Sequence, residues 1–159
     1  MRVHPRVAAA CVAVIFSAGI AGCSTTEETT GTVPVAAAEA PETELDRLIE
    51  DYARAYHVPL SLVRRVVKRE SGFNPSAYNA GNWGLMQIRH DTARTMGYRG
   101  EARGLLDAET NLKYAVKYLR GAYLVADGDH DRAVSLYASG YYYDAKRKGL
   151  LEETGLRPS

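Results

Sequence analysis

The spacing of the apolar residues from Glu44 onward limits the fold of this chain more than any other feature. In the first segment they recur at steps of three and four residues, as Leu45, Leu48, Ile49, Tyr52 and Tyr56. Similar spacing returns over residues 60–70, 107–123 and 131–139, and a shorter helix is predicted over 92–96. Such steps place side chains on one face of an α-helix. Since no segment alternates as a β-strand does, the sequence predicts an all-α, mainly helical domain over residues 44–159.

The first 22 residues have the composition of a secretory signal peptide. Arg2 and Arg6 form a positive start, and an apolar run follows that is too short for a confident membrane span. The run ends in Ile20-Ala21-Gly22-Cys23, which resembles the bacterial lipobox. This resemblance implies cleavage before Cys23 and lipidation of that residue. The Ser that follows resembles the pattern of lipoproteins sorted to the outer membrane. The alternative is an ordinary signal peptide in which Cys23 is incidental.

Residues 23–43 predict a flexible tether between the lipidated Cys and the helical domain. They are rich in Thr, Ala, Glu and Pro and hold almost nothing large enough to bury. Such a segment lets an anchored domain reach away from a membrane surface. We therefore expect three parts in the chain, namely a signal peptide over 1–22, the tether over 23–43 and the folded domain over 44–159.

Charge and cysteine usage exclude several classes of function. The formal net charge of +1 includes Arg2 and Arg6, which we expect to be removed, so the mature chain is near neutral. Nucleic-acid binding is not expected, because it requires a basic face. Cys11 leaves with the signal peptide and Cys23 is acylated, so no thiol remains for a disulfide or metal site. The histidines of the domain lack paired spacing, and we expect no metal and no cofactor.

Glu70 is the informative position of the second predicted helix. At about 100° per residue, Val63, Val66 and Val67 lie within roughly 60° of Glu70 around the helix. A carboxyl group at the end of a buried stripe is desolvated, and its raised pKa suits a general acid near neutral pH. The negative end of the helix acts in the same direction. The alternatives are a Glu that points to solvent and a buried Glu that is paired with an Arg.

Two blocks of sequence, starting at this Glu, carry a resemblance to a known family. They read Glu70-Ser71-Gly72-Phe73-Asn74-Pro75-Ser76-Ala77, then Gly84-Leu85-Met86-Gln87-Ile88 with Thr92-Ala93. They resemble the soluble lytic transglycosylase domain of bacteria, which reads Glu-Ser, Phe or Trp, Asn-Pro and then Gly-Leu-Met-Gln. Weaker blocks follow in the right order at 107–112, 118–119 and 136–140. The resemblance covers roughly residues 56–140 and implies a lysozyme-like, mainly helical fold with a saccharide groove.

The resemblance also implies roles for individual residues. By position, Glu70 is the single catalytic acid. The substrate-binding positions that it implies are Gln87, Met86, Asn79, Tyr137 and Asn111. The hydroxyl of Tyr137 is expected near the catalytic carboxylate, and Asn79 stands where some members have a substrate-binding Ser. Core packing is the open alternative for Met86.

One departure from the family pattern concerns the groove, and one run of tyrosines has two possible interpretations. Arg89 stands where some members have a Met in the groove, so we expect contacts with the sugars to differ there. The run Tyr141-Tyr142-Tyr143 either packs against the domain or forms a platform for saccharides. Of these two interpretations we favour packing.

The implied function is non-hydrolytic cleavage of the β-1,4 bond between N-acetylmuramic acid and N-acetylglucosamine in peptidoglycan. No second carboxylate that the family uses as a nucleophile occurs in the motif blocks, whereas most glycosidases need two. The first alternative is a goose-lysozyme-like hydrolase, in which Asp91, Asp107 or Glu109 positions a water molecule. The second is a lipoprotein that binds peptidoglycan without cutting it. The expected partners are the peptidoglycan strand and, through the lipid, the periplasmic face of the outer membrane.

Overall fold

A computed structural model of the protein describes residues 43–157. The predicted signal peptide, Cys23 and nearly all of the predicted tether lie outside the described residues. The helices are α1 (Glu44–Ala55), α2 (Leu60–Ser71), α3 (His90–Thr95), α4 (Ala108–Val125), α5 (His130–Ser139) and α6 (Tyr142–Lys148). A 3₁₀ helix at Ala102–Leu106 precedes α4. The prediction of a mainly helical fold is therefore confirmed.

Helix α4 is the central element of the described domain. It packs against α1, α3, α5, α6 and the 3₁₀ helix. One face is fully buried, with Leu112, Ala115, Val116, Leu119, Ala122 and Val125 at 0% exposure. Asp107 caps the N-terminus by accepting a hydrogen bond from the backbone N–H of Thr110 at 2.8 Å. The apolar spacing predicted over residues 107–123 therefore corresponds to one buried face of this helix.

Helix α2 lies beside α1 and α5 and carries Glu70 in its last turn. Its apolar face is completely buried through Leu62, Val63, Val66 and Val67. The helix ends at Ser71 because Gly72 has a φ of +60°, and its N–H donates to the carbonyl of Lys68. The helix end therefore holds Glu70 at the edge of the core, where the apolar face meets the groove described below.

A small antiparallel sheet was not predicted from the sequence. Its strands are β1 (Tyr78–Asn79), β2 (Asn82–Trp83) and β3 (Ile88–Arg89), paired in the order β1-β2-β3. Strands of two residues are too short to display the two-residue period by which a strand is recognised. The sheet follows α2 in the chain and forms one wall of the groove that contains Glu70.

The three consecutive tyrosines before and within α6 do not share one environment. Tyr141 is 1% exposed, and its hydroxyl donates to the carbonyl of Tyr118 at 2.8 Å. Tyr142 and Tyr143 are exposed by 47% and 73%. Packing therefore describes Tyr141, whereas the other two rings face solvent. Among the described residues, no helix has both the length and the apolar character needed to cross a membrane.

Candidate active site

A groove with a volume of about 450 Å³ lies between the end of α2, the small sheet and the end of α5. Arg69 and Glu70 line it from α2, and Thr92 lines it from α3. The sheet and the turn before β3 contribute Asn79, Asn82, Gln87, Ile88 and Arg89. Tyr118 of α4 and residues 137–140 at the end of α5 form the opposite wall. The groove therefore joins residues that are as far apart in the sequence as Arg69 and Gly140.

Glu70 has the environment of an acid that keeps its proton more readily than usual. Its side chain is only 23% exposed. Burial raises the pKa of Glu70 above its ordinary value, and the Arg69 guanidinium opposes that rise. The Arg69 Nε lies 3.6 Å from the Glu70 Oε1, which is longer than a hydrogen bond. The carboxyl group is thus partly buried and held only loosely by its cationic neighbour.

Gln87 lies in the groove, but its amide nitrogen is already engaged. The Nε2 donates to the carbonyls of Gly84 at 2.9 Å and Ala77 at 3.1 Å. The backbone of Gln87 has a φ of +47°, an uncommon conformation for a residue with a side chain. The two hydrogen bonds hold the turn between β2 and β3 in this conformation. A contact between Gln87 and the substrate remains a prediction.

Asn79 also lines the groove, at the end of β1. Its side chain is exposed, and its backbone carbonyl accepts a hydrogen bond from the Asn82 Nδ2 at 3.0 Å. Asn82 is a second groove residue of this hairpin and did not stand out in the sequence. The sheet therefore presents two amide side chains on the wall beside Glu70.

The structure contradicts the expectation that Met86 and Asn111 contact the substrate. Both residues are 0% exposed, and neither lines the groove. The Asn111 Oδ1 accepts the Met86 N–H at 3.0 Å, and its Nδ2 donates to the carbonyls of Trp83 and Leu105 at 2.8 Å each. Asn111 therefore uses its amide to hold the segment before β3 against α4. Core packing, the alternative interpretation for Met86, is the correct one.

Tyr137 lies between the groove and this buried segment. It lines the groove but is only 8% exposed, and its ring packs edge-on against Tyr118 at 5.4 Å. Its hydroxyl donates to the carbonyl of Met86 at 2.8 Å. Burial raises the pKa of the Tyr137 hydroxyl well above its ordinary value, and the nearby charge of Glu70 makes a smaller contribution in the same direction. The hydroxyl is therefore a neutral donor whose proton is committed to the backbone of Met86.

The other acids considered from the sequence lie outside the groove. Asp107 is the cap of α4, and Glu109 accepts a hydrogen bond from the Tyr52 hydroxyl at 3.1 Å. Asp91 lies in the first turn of α3 and is exposed. Within residues 43–157, Glu70 is the only carboxylate among the residues that line the groove. In the same range, no group of three His, Cys, Asp or Glu side chains could hold a metal ion.

A mainly helical fold with a groove that holds one partly buried acid is typical of the class of lysozyme-like domains. A family model described as the transglycosylase SLT domain matches residues 47–153. The chain therefore belongs to the transglycosylase SLT domain family. No solved structure gives a significant match.

Three curated relatives are similar over about three fifths of the chain. Protein IpgF of Shigella flexneri is 30% identical over 102 residues, which are 60% of this chain and 66% of the relative. Membrane-bound lytic murein transglycosylase F of Shewanella woodyi is 37% identical over 98 residues, 57% of this chain and 20% of the relative. Peptidoglycan transglycosylase gp16 of Escherichia phage T7 is 34% identical over 101 residues, 61% of this chain and 8% of the relative.

Proposed function

We propose that this protein is a peptidoglycan lytic transglycosylase with Glu70 as its acid and then its base. The observation that carries the proposal is the groove itself, in which Glu70 is the only carboxylate among the lining residues of the described domain. Membership of the transglycosylase SLT domain family supports it. So do the names of two relatives, a lytic murein transglycosylase and a peptidoglycan transglycosylase. The bond cleaved is the β-1,4 bond between N-acetylmuramic acid and N-acetylglucosamine.

In the first step Glu70 acts as a general acid. Its raised pKa keeps a proton available, and this proton passes to the glycosidic oxygen as the bond to C1 of the muramic acid breaks. The acetamido oxygen of the same sugar bonds to C1 and takes the place of an enzyme nucleophile. Only one carboxylate is needed for this route, whereas two are needed in most glycosidases.

In the second step Glu70, now a carboxylate, acts as a general base. It accepts the proton of the 6-hydroxyl of the muramic acid as that oxygen attacks C1 and displaces the acetamido oxygen. The product is a 1,6-anhydro sugar, no water is consumed, and Glu70 has regained its proton. The raised pKa of Glu70 favours this cycle, because an acid whose pKa lies nearer the operating pH can both donate and accept the proton.

The positions of the other acids disfavour hydrolysis as the main reaction. Water would have to be activated or positioned by a second carboxylate, and the candidates were Asp91, Asp107 and Glu109. Asp107 and Glu109 are engaged in hydrogen bonds within the protein, and none of the three lines the groove. A domain that only binds peptidoglycan has no need for a partly buried acid, because burial of its charged form is unfavourable.

We further propose that Cys23 carries a lipid that anchors the protein to the periplasmic face of the outer membrane. The domain over 44–159 then acts on the wall from the end of the tether over 23–43. The support is the lipobox-like sequence before Cys23 and the Ser after it. Outside the motifs of the domain, the lipobox-like sequence that ends at Cys23 is the clearest motif in the chain.

The direct test is mass spectrometry of the products from purified sacculi. The wild-type chain is expected to release anhydromuropeptides, and Glu70→Gln is expected to lose at least about 10²-fold in rate because it removes the acid and base. The matched control is Glu153→Gln, an exposed Glu outside the groove, which should retain activity.

Three outcomes would contradict the proposal. Products heavier by one water molecule would identify a hydrolase. Full activity of Glu70→Gln would remove Glu70 from the reaction. A wild-type chain that binds sacculi and releases nothing would identify a binding protein.

A further inference from the structure

Two arginines line the groove beside Glu70 and approach it from different elements. Arg69 belongs to the last turn of α2, and its side chain is 52% exposed. Arg89 belongs to β3 and is also exposed. Both are among the residues that line the groove. Two guanidinium groups therefore face the space that a glycan strand would occupy.

The positive charges of these two arginines are not neutralised by close ion pairs with acidic side chains of the described residues. On α2, Arg64 pairs with Asp46 at 2.9 Å and Arg65 pairs with Asp131 at 2.6 Å. Arg69, in contrast, has only the loose contact of 3.6 Å with Glu70 among the acids of residues 43–157. Arg89 forms no ion pair with any residue of 43–157 that the structure describes.

The excess of positive charge in the groove is greatest when Glu70 carries its proton. In that state the lining residues of the described groove hold two positive charges and no negative charge. This is also the state in which the proposed enzyme meets its substrate. A substrate with a carboxylate near the reacting bond supplies the missing charge. Arginine suits that task because its planar fork binds a carboxylate through two parallel hydrogen bonds.

Peptidoglycan carries such groups next to the bond that is cleaved. Each muramic acid bears a lactyl group, whose carboxylate is free or is extended by a peptide stem with carboxylates of its own. Resting on the proposed function, we propose that Arg69 and Arg89 bind a carboxylate borne by the muramic acid unit. The groove then selects glycan strands that are charged at this position over neutral strands.

Equilibrium binding tests this inference without any need for turnover. The full-length Glu70→Gln chain is the parent, because Gln is a neutral substitute for the protonated acid and removes the influence of Arg69 on the pKa of Glu70. Three soluble glycan preparations are compared by calorimetry. The first has intact stems, the second has lost its stems and has free lactyl carboxylates, and the third is the second with those carboxylates converted to amides.

The parent is expected to bind at least one of the two charged preparations about tenfold more tightly than the amide preparation. One charge-assisted contact predicts a difference of this size. This preference should fall to within about twofold in Arg89→Gln and in Arg69→Gln, and it should weaken with added salt. Arg89→Lys should retain part of it, because the charge remains without the fork. The matched control is Arg103→Gln on the exposed 3₁₀ helix, outside the groove, which should retain all of it.

The outcomes separate the source of the carboxylate from the failure of the inference. A preference that extends to both charged preparations identifies the lactyl carboxylate, and one restricted to intact stems identifies a stem carboxylate. Equal binding of charged and amide glycan by the parent overturns the inference. So does a preference that survives both Arg→Gln variants. If wild type releases no anhydro product while the preference holds, the proposed function fails and the carboxylate site stands.

Discussion

At the scale of single residues, Glu70 combines the needs of catalysis with a disadvantage for stability. The side chain is mostly buried, and its nearest described cation is 3.6 Å away. An ionised carboxylate in such a place loses hydration without a matching hydrogen bond. The raised pKa of Glu70 results from this loss of hydration. We therefore expect the folded protein to be less stable with an ionised Glu70 than with a neutral side chain at the same position.

The pH dependence of stability tests this expectation. Because the pKa is raised in the folded state, the stability that Glu70 contributes is present below the unfolded pKa and is lost as the pH rises through the folded pKa. Glu70→Gln does not titrate. Its free energy of unfolding should match wild type in acid and exceed it at neutral pH by an amount on the order of 1 kcal/mol.

Urea denaturation at several pH values measures the difference. Glu153→Gln, at an exposed position, should stay within about 0.5 kcal/mol of wild type throughout. A Glu70→Gln protein that is less stable than wild type at neutral pH would show that the carboxylate makes a favourable interaction in the folded state.

At the scale of elements, the segment from Trp83 to Gln87 holds the groove wall in place. It joins β2 to β3 and is attached to α4 through Asn111 and to α5 through the Tyr137 hydroxyl. Gly84 lies where this segment passes closest to α4. It has a φ of +69°, and a Cβ there would overlap the Asn111 side chain and the Leu105 carbonyl. Asn111 therefore acts as a positioning residue, and its contact requires a glycine at position 84.

Gly84→Ala is expected to be costly for both stability and activity. The positive φ costs a side chain about 1 kcal/mol, and the overlap adds about 1–3 kcal/mol. The displaced Asn111 should also shift Gln87 in the groove, which lowers kcat. Gly81→Ala is the matched control, because Gly81 has a φ of +87° with no atom within 4 Å of the added Cβ.

Urea denaturation and kcat of the two variants provide the comparison. Gly81→Ala should lose only about 1 kcal/mol and keep its kcat. Equal losses of stability in the two variants would mean that the close approach of Gly84 to α4 does not affect the free energy of unfolding.

At the scale of the whole molecule, the proposed lipid decides where the domain can act. Cleavage before Cys23 and lipidation of that residue would attach long apolar chains, each contributing about 0.8 kcal/mol of membrane affinity per buried methylene. Cys23→Ser is therefore expected to move the protein from the membrane fraction to the soluble fraction and to abolish labelling by palmitate.

The chain contains its own control for this test. Cys11 is the other cysteine of the sequence and lies within the predicted signal peptide. Cys11→Ser should leave both membrane attachment and labelling intact. Membrane attachment of Cys23→Ser with no label would point instead to a signal segment that is retained.

The helices were predictable because a helix repeats over a few residues. The apolar steps in α1, α2 and α4 are visible in the sequence, and the structure buries the predicted faces. The sheet was missed because two-residue strands carry no period. Helix α6 was missed because Ala145 is the one buried residue among its 7, which leaves no apolar spacing to recognise. The long helices were thus predicted from their apolar spacing, whereas α3 was predicted although it has only 6 residues.

The sequence by itself determined the helical domain, the family and the unusual place of Glu70 at the end of an apolar face. All three depend on local period or on contiguous motifs. Only the tertiary structure decided which motif residues face the groove and which face the core. Asn111 and Tyr137 reach Met86 from 25 and 51 residues away. Their roles are set by packing between distant segments, because a side chain's burial and partners depend on what the fold brings beside it.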